Sequence, residues 1–275
     1  MPLRSDGSVV LAGAGKMGAA LLAGWLDRGL DPVSVVIQEP NLAGSALDLV
    51  QRHGIKTVDS LAPLTAPPAV IVVAVKPQVM EDVFPALAKV AGRETVVISI
   101  AAGKTLASFE RHLPPRTAVV RAMPNTPAAI GRGITGAVAN AHTTAAQKEI
   151  CESLLGAVGE VVWIPDESLI DAVTAVSGSG PAYVFLLAEA LAEAGIAAGL
   201  DEATAKQLAR ATVSGAGELL NQSESDPATL RRNVTSPGGT TAAALEVLMR
   251  DGDGLKELMT KAVLAAQKRG RELGR

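Results

Sequence analysis

Up to about residue 165 the chain alternates short aliphatic runs with helical patterns, and that alternation leaves few folds open. Val9–Ala12, Val33–Gln38, Val70–Val75, Thr95–Ile100, Thr117–Arg121, Gly136–Ala139 and Glu160–Trp163 read as strands. Several are nearly unbroken Val/Ile runs, as expected of strands covered on both faces. Helical patterns lie between most of them: Gly18–Arg28, Leu42–His53, Val79–Val90 and Leu106–His112. Strands alternating with helices imply βαβ units and a parallel sheet. The alternation stops near Pro165-Asp166, where Asp166 suits an N-cap and no convincing strand follows. From there to Arg275 the sequence is helical, punctuated by Gly178–Pro181, Gly199, Pro227 and Ser236–Gly239. The expected architecture is a doubly wound α/β domain over 1–165, followed by an all-helical domain over 166–275.

The first strand runs into Gly13-Ala14-Gly15-Lys16-Met17-Gly18, which fits G-x-G-x-x-G. Alone the pattern is weak, but here a strand precedes it, a helix follows, and Glu39 ends the next strand about 20 residues on. The glycines allow a tight turn, close approach of a pyrophosphate, and packing of helix on strand. A Rossmann-type domain binding NADPH or NADH is the reading, with Gly13, Gly15, Lys16, Met17, Gly18, Glu39 and Asn41 at the cofactor. Two further loops follow strand ends, where ligands bind in open α/β sheets. Val75-Lys76-Pro77-Gln78 is one, and Arg121-Ala122-Met123-Pro124-Asn125-Thr126-Pro127 the other. Pro77 and Pro127 also serve simply to stop strands. Val75, Lys76, Pro77, Pro124 and Asn125 are assigned to the cofactor, Lys76 and Asn125 with ribose or nicotinamide contacts.

Composition narrows the class. Net charge is −3 and no basic cluster occurs, which argues against nucleic acid. The lone Cys151 excludes an internal disulfide, fits a reducing compartment, and lies in the helical pattern Thr144–Val158 as a buried thiol rather than a nucleophile. Val9–Leu26 carries Lys16 and is dense in glycine, so strand, turn and helix explain it better than a signal peptide. No other segment is expected to approach the roughly 20 apolar residues of a membrane span, and a cytoplasmic protein without a metal site is expected. Hydrophobic residues make up 48% of the chain, yet only two Trp, one Tyr and three Phe occur. A core of Ala, Val, Leu and Ile lets helices approach closely, as in intertwined chains.

Within the helical half, Thr235-Ser236-Pro237-Gly238-Gly239-Thr240-Thr241 is followed directly by the helical run 242–250. Paired glycines let a ligand approach the backbone, and a helix start offers unpaired N–H groups to an anion. The hydroxyls of Ser236, Thr240 and Thr241 add donors, so a small carboxylate fits; a plain Gly-rich turn with a Thr cap is the competing reading. Ser177-Gly178-Ser179-Gly180-Pro181-Ala182-Tyr183 opens the next helix, with Pro181 in its first turn. Tyr183 either packs at a domain junction or serves the site.

Together, Gly13–Gly18, Val75–Gln78, Met123–Pro127, Ser177–Tyr183 and Thr235–Thr241 resemble the pyrroline-5-carboxylate reductases over essentially the whole chain. The resemblance implies reduction of the cyclic imine 1-pyrroline-5-carboxylate to L-proline with NADPH or NADH. It further implies a helical dimerisation domain that interlocks two subunits in a homodimer, or in a larger ring of dimers. Carried over residue by residue, Ser236, Gly238, Gly239 and Thr241 hold the substrate carboxylate with Thr240 beside them, while Lys76, Pro124 and Asn125 lie on the cofactor side. Hydride transfer to an imine is helped by a proton on nitrogen, which a basic imine supplies itself. Accordingly no Lys, Arg or His occurs from Glu149 to Ala205. Thr241 or Tyr183 is the candidate to hydrogen-bond the nitrogen.

Two rival readings remain. A β-hydroxyacid dehydrogenase needs a general base, and that family resembles this chain but places a lysine where Val184 and Phe185 stand. A non-catalytic dinucleotide sensor has no need of the second anion loop at Ser236–Thr241.

Overall fold

The computed structural model describes residues 7–59, 64 and 66–274. The chain divides into two compact units, residues 1–178 with 267–275, and residues 179–266.

The first unit is built on an eight-stranded sheet in the order β3-β2-β1-β4-β5-β6-β7-β8. Its strands are β1 Val9–Ala12, β2 Val35–Gln38, β3 Lys56–Val58, β4 Val70–Val73, β5 Val96–Ser99, β6 Ala118–Met123, β7 Gly133–Ala139 and β8 Gly159–Trp163. β1 to β6 run parallel, β7 turns back antiparallel on β6, and β8 pairs parallel with β7. The order 3-2-1-4-5-6 reverses between β1 and β4, and their carboxyl ends open the crevice where dinucleotides bind in doubly wound sheets.

Alternation along β1 shows why its residues are all apolar. Val9 and Leu11 enter one core with Leu21, Leu22 and Trp25 of α1 (Lys16–Asp27), Ala46 of α2 (Gly44–His53) and Cys151 and Leu154 of α5 (Ala145–Leu155). Val10 and Ala12 enter the opposite core with Phe84 and Leu87 of α3 (Met80–Ala88) and Phe109 of α4 (Leu106–Glu110). Both faces are therefore covered. Trp25 is fully buried and still satisfied, its indole donating to the carbonyl of Leu154 at 2.9 Å.

Several expected strands are trimmed at their ends. Pro32–Ser34 forms a 3-10 turn, because Asp31 caps it by accepting from Val33 N–H, so β2 starts at Val35. The exposed edge strand β3 escapes pattern reading because three residues with two of them exposed show no periodicity. Asp166 does cap, accepting from Ser168 N–H at 2.7 Å, but the segment it opens is a 3-10 turn, Glu167–Leu169. The chain continues through α6 (Ile170–Val173) and a π turn, Thr174–Gly178.

The second unit contains α7 (Gly180–Ala197), α8 (Glu202–Gln222), α9 (Pro227–Asn233) and α10 (Thr240–Leu248); α11 (Leu255–Leu273) begins in it and ends in the first. α7 packs along α8 through small residues, with Ala192, Ala205 and Ala209 buried and an added Cβ on Gly195 only 3.2 Å from that of Ala205. The outer faces stay uncovered: Phe185 is 63% exposed and Leu186 62%. The expectation about membrane spans needs correcting here. The helical run Glu167–Ala197 is long and apolar enough, by length and composition, to cross a membrane, and only 11% of its most apolar stretch is buried within the chain.

Candidate functional site

The three glycines of the first motif serve three separate purposes. Gly13 has φ +89, and a Cβ there would lie 2.7 Å from the Ala74 carbonyl, so it needs to be glycine for both conformation and space. Gly18 sits where a Cβ would overlap the Gly13 carbonyl oxygen, which lets α1 close onto the turn. Gly15 meets nothing within 4 Å and lines an open cleft of about 450 Å³ at the carboxyl ends of β1, β2 and β4. Gly15 is also the N-cap of α1, whose first backbone bond runs from Ala19 N–H to its carbonyl. The N–H groups of Lys16, Met17 and Gly18 therefore have no helical acceptor, and the helix start favours an anion. An open cleft over Gly15, ending in these amides, fits a pyrophosphate.

Glu39 reaches back into this turn. Its Oε2 accepts from Ala14 N–H at 3.1 Å and its Oε1 from Asn41 N–H at 3.0 Å. Gln38, Glu39, Pro40 and Asn41 line the cleft on one side, and Val75 and Lys76 on the other. Pro77 belongs to the 3-10 turn Pro77–Val79 that leads into α3, with Lys76 at its N-cap.

Pro124 and Asn125 follow β6 and are buried, but the Asn125 amide has work of its own. Its Oδ1 accepts from Ile134 N–H at 3.0 Å, and its Nδ2 donates to the carbonyl of Ser177 in the π turn at 3.2 Å. The expectation of a side chain aimed at nicotinamide has to accommodate both bonds. Pattern reading also missed a polar cluster beside this loop. Arg121 is 7% exposed, and its Nη1 donates to Glu167 Oε1 at 2.9 Å. The same oxygen accepts from Leu106 N–H at 2.8 Å, at the start of α4. A charge in an otherwise apolar strand was the available signal. Glu167 thus ties the carboxyl end of β6 to α4.

In the second unit, Gly239 is the N-cap of α10 and Gly238 has φ +67. The first backbone bond of α10 is Ala243 N–H to the Gly239 carbonyl, which leaves the N–H groups of Thr240, Thr241 and Ala242 without a helical acceptor. Ser236, Gly238 and Thr240 are exposed, Gly239 and Thr241 half-buried. Tyr183 lies in the first turn of α7, half-buried. Among the described residues no cluster of three His, Cys, Asp or Glu side chains could hold a metal ion. Burial pushes the Cys151 thiol up to about 12, so it is inert at neutral pH.

Two family models match the chain. The model described as pyrroline-5-carboxylate reductase dimerisation covers residues 167–273, including the apolar helix α7. The model described as NADP oxidoreductase, coenzyme F420-dependent, covers residues 8–103. Curated pyrroline-5-carboxylate reductases from Pseudomonas aeruginosa and Synechocystis are 43% and 41% identical, each over 96% of this chain and 96% and 97% of their own lengths. A solved pyrroline-5-carboxylate reductase from Coxiella burnetii matches with TM-score 0.91 at 37% identity, covering 98% of this chain and all of that one. A Plasmodium falciparum pyrroline carboxylate reductase with NADP bound matches with TM-score 0.79 at 27% identity, covering 98% of this chain and 99% of that one.

Proposed function

The chain belongs to the pyrroline-5-carboxylate reductase family, and on that premise we propose how its own residues carry the reaction. It reduces the cyclic imine 1-pyrroline-5-carboxylate to proline with NADPH or NADH as reductant. We assign dinucleotide binding to residues 1–165, and substrate binding with dimerisation to residues 166–275. When bound, the reduced nicotinamide supplies the hydride.

Gly13, Gly15 and Gly18 shape the turn that receives the pyrophosphate, and the N–H groups at Lys16 and Met17 face its charge. Glu39 and Asn41 take the adenosine ribose. Val75, Lys76, Pro77, Pro124 and Asn125 border the nicotinamide end. The observation that carries the substrate assignment is the start of α10, where three N–H groups lack helical acceptors behind Gly238 and Gly239. The substrate carboxylate takes these N–H groups, with the Ser236, Thr240 and Thr241 hydroxyls around it. Clamping the carboxylate fixes the ring, and holding the imine carbon at reaction distance supplies most of the rate. The iminium nitrogen brings its own proton, and Thr241 or Tyr183 hydrogen-bonds it.

A second copy of the chain covers the uncovered face of α7, giving a homodimer or a larger ring of dimers. The enzyme works in the cytoplasm, in keeping with one buried, unpaired cysteine.

Purified protein given 1-pyrroline-5-carboxylate and either nicotinamide should form proline. Gly239→Val should raise the KM for the imine while cofactor binding persists, because its methyl groups crowd the α10 amides. An unchanged KM removes the clamp from this reading.

A further inference from the structure

Either NADH or NADPH can supply the hydride, and the two differ only where the adenosine ribose would lie, beside β2. NADPH differs from NADH by a phosphate on the adenosine 2′-oxygen, carrying about −1.5 to −2 charges at neutral pH. A site built for that group offers a cation or a set of unspent N–H donors where the second strand ends. Among the described residues, the end of β2 has neither. From Gly29 to Gln51 the sequence contains no Lys or Arg. The backbone donors at that position, Ala14 N–H and Asn41 N–H, are both taken by the Glu39 carboxylate, at 3.1 and 3.0 Å. Gln38 Nε2 donates to the carbonyl of Asp59 at 3.0 Å. The Asn41 side chain lines the same cleft and supplies an uncharged donor at most. Lys76 also lines the cleft, but it follows β4, on the far side of β1 from β2.

The Glu39 carboxylate is held in place by the chain's own backbone. Two backbone N–H groups fix its oxygens on the cleft side of the glycine turn, and each oxygen keeps a second lone pair. A carboxylate only accepts hydrogen bonds. Ribose hydroxyls donate to it; a phosphate ester cannot, and brings a like charge against it. We propose that Glu39 is the residue that selects the cofactor, and that it makes this chain prefer NADH. The proposal rests on the reductase reading for its catalytic consequences, but not for its binding consequences.

Both are measurable on the full-length protein. Dissociation constants for NADH and NADPH come from nucleotide fluorescence titrations without imine, and kcat/KM for both from imine-dependent oxidation. The wild-type protein should favour NADH by about tenfold or more, or roughly 1.4 kcal/mol. Glu39→Ser removes the charge and frees both N–H groups, so the NADH-to-NADPH ratio should fall by at least ~10-fold in both measurements. Glu39→Gln keeps the size without the charge and should lower the ratio in the same direction, which guards against a folding defect in the serine variant. A wild-type protein that binds NADPH more tightly overturns the proposal, as does a ratio unmoved by both substitutions. Tighter NADH binding without proline formation would uphold the cofactor assignment and refute the reductase reading instead.

Discussion

Substituting alanine at Gly15 and at Gly18, one at a time, should separate ligand binding from folding within a single six-residue motif. An alanine at Gly18 places its Cβ against the Gly13 carbonyl oxygen, a backbone atom that moves only if the whole turn moves. Such overpacking costs up to about 3 kcal/mol, offset by about 1 kcal/mol of better helix propensity. A net loss of about 2 kcal/mol lowers Tm by roughly 4–8 °C at this chain length. At Gly15 the added Cβ meets no atom within 4 Å, and φ is −66. Alanine is a poorer N-cap than glycine, at a cost of up to about 1 kcal/mol, and the stiffer unfolded chain returns about as much. Fold stability should therefore stay within about 1 kcal/mol of wild type, while the methyl group stands in the cleft and weakens NADH by about tenfold or more. Thermal melts at matched protein concentration, paired with nucleotide titrations, give both numbers. A Gly15→Ala protein that binds cofactor normally, or a Gly18→Ala protein that melts with the wild type, refutes the division of labour.

Arg121→Leu strips the partner from Glu167, whose side chain is 27% exposed, and should cost about 2–3 kcal/mol, less than a fully buried pair; an unchanged urea midpoint would show that the pair contributes nothing. Cys151 should resist a thiol reagent at pH 8 in the native protein and react once in denaturant. Because its folded pKa is raised from 9.0 to about 12, the stability it lends is full below pH 9 and is lost as pH rises toward 12. Rapid native labelling at pH 8, or a stability flat from pH 8 to 11, would contradict its burial. Phe185→Glu puts a charge on the uncovered face of α7 and should shift a dimer toward monomer in light scattering; an unaltered mass would move the interface elsewhere.

Much of this was legible in the sequence because burial on both faces forces continuous apolar runs. β1 falls where the Val9–Ala12 run predicts, and so does the glycine turn after it. The strand-to-helix change near Pro165-Asp166 is visible for the same reason. Other features left no periodic trace. β3 is three residues at an exposed edge, and the π turn at Thr174–Gly178 differs from an α-helix by hydrogen-bond partners alone. The orientation of Glu39 could not be read either: its position puts a carboxylate at the end of β2, but only the two amide bonds show it facing the glycine turn. Asn125 reads as a ligand contact in sequence because it follows a strand's carboxyl end, and the bonds of its amide to Ile134 and Ser177 left no trace there. The run Glu167–Ala197 resembles a membrane span until the dimerisation model that covers it is considered.

In the proposed reaction, hydride passes from the nicotinamide in this chain's cleft to the imine carbon of a substrate held by its carboxylate. Turnover with NADH deuterated at the transferred position of the nicotinamide ring, read by mass spectrometry and NMR of the product, tests it most directly. The proline formed should carry one deuterium, on the ring carbon bonded to nitrogen and remote from the carboxylate. Proline without deuterium at that carbon, or oxidised cofactor with no proline, would contradict it.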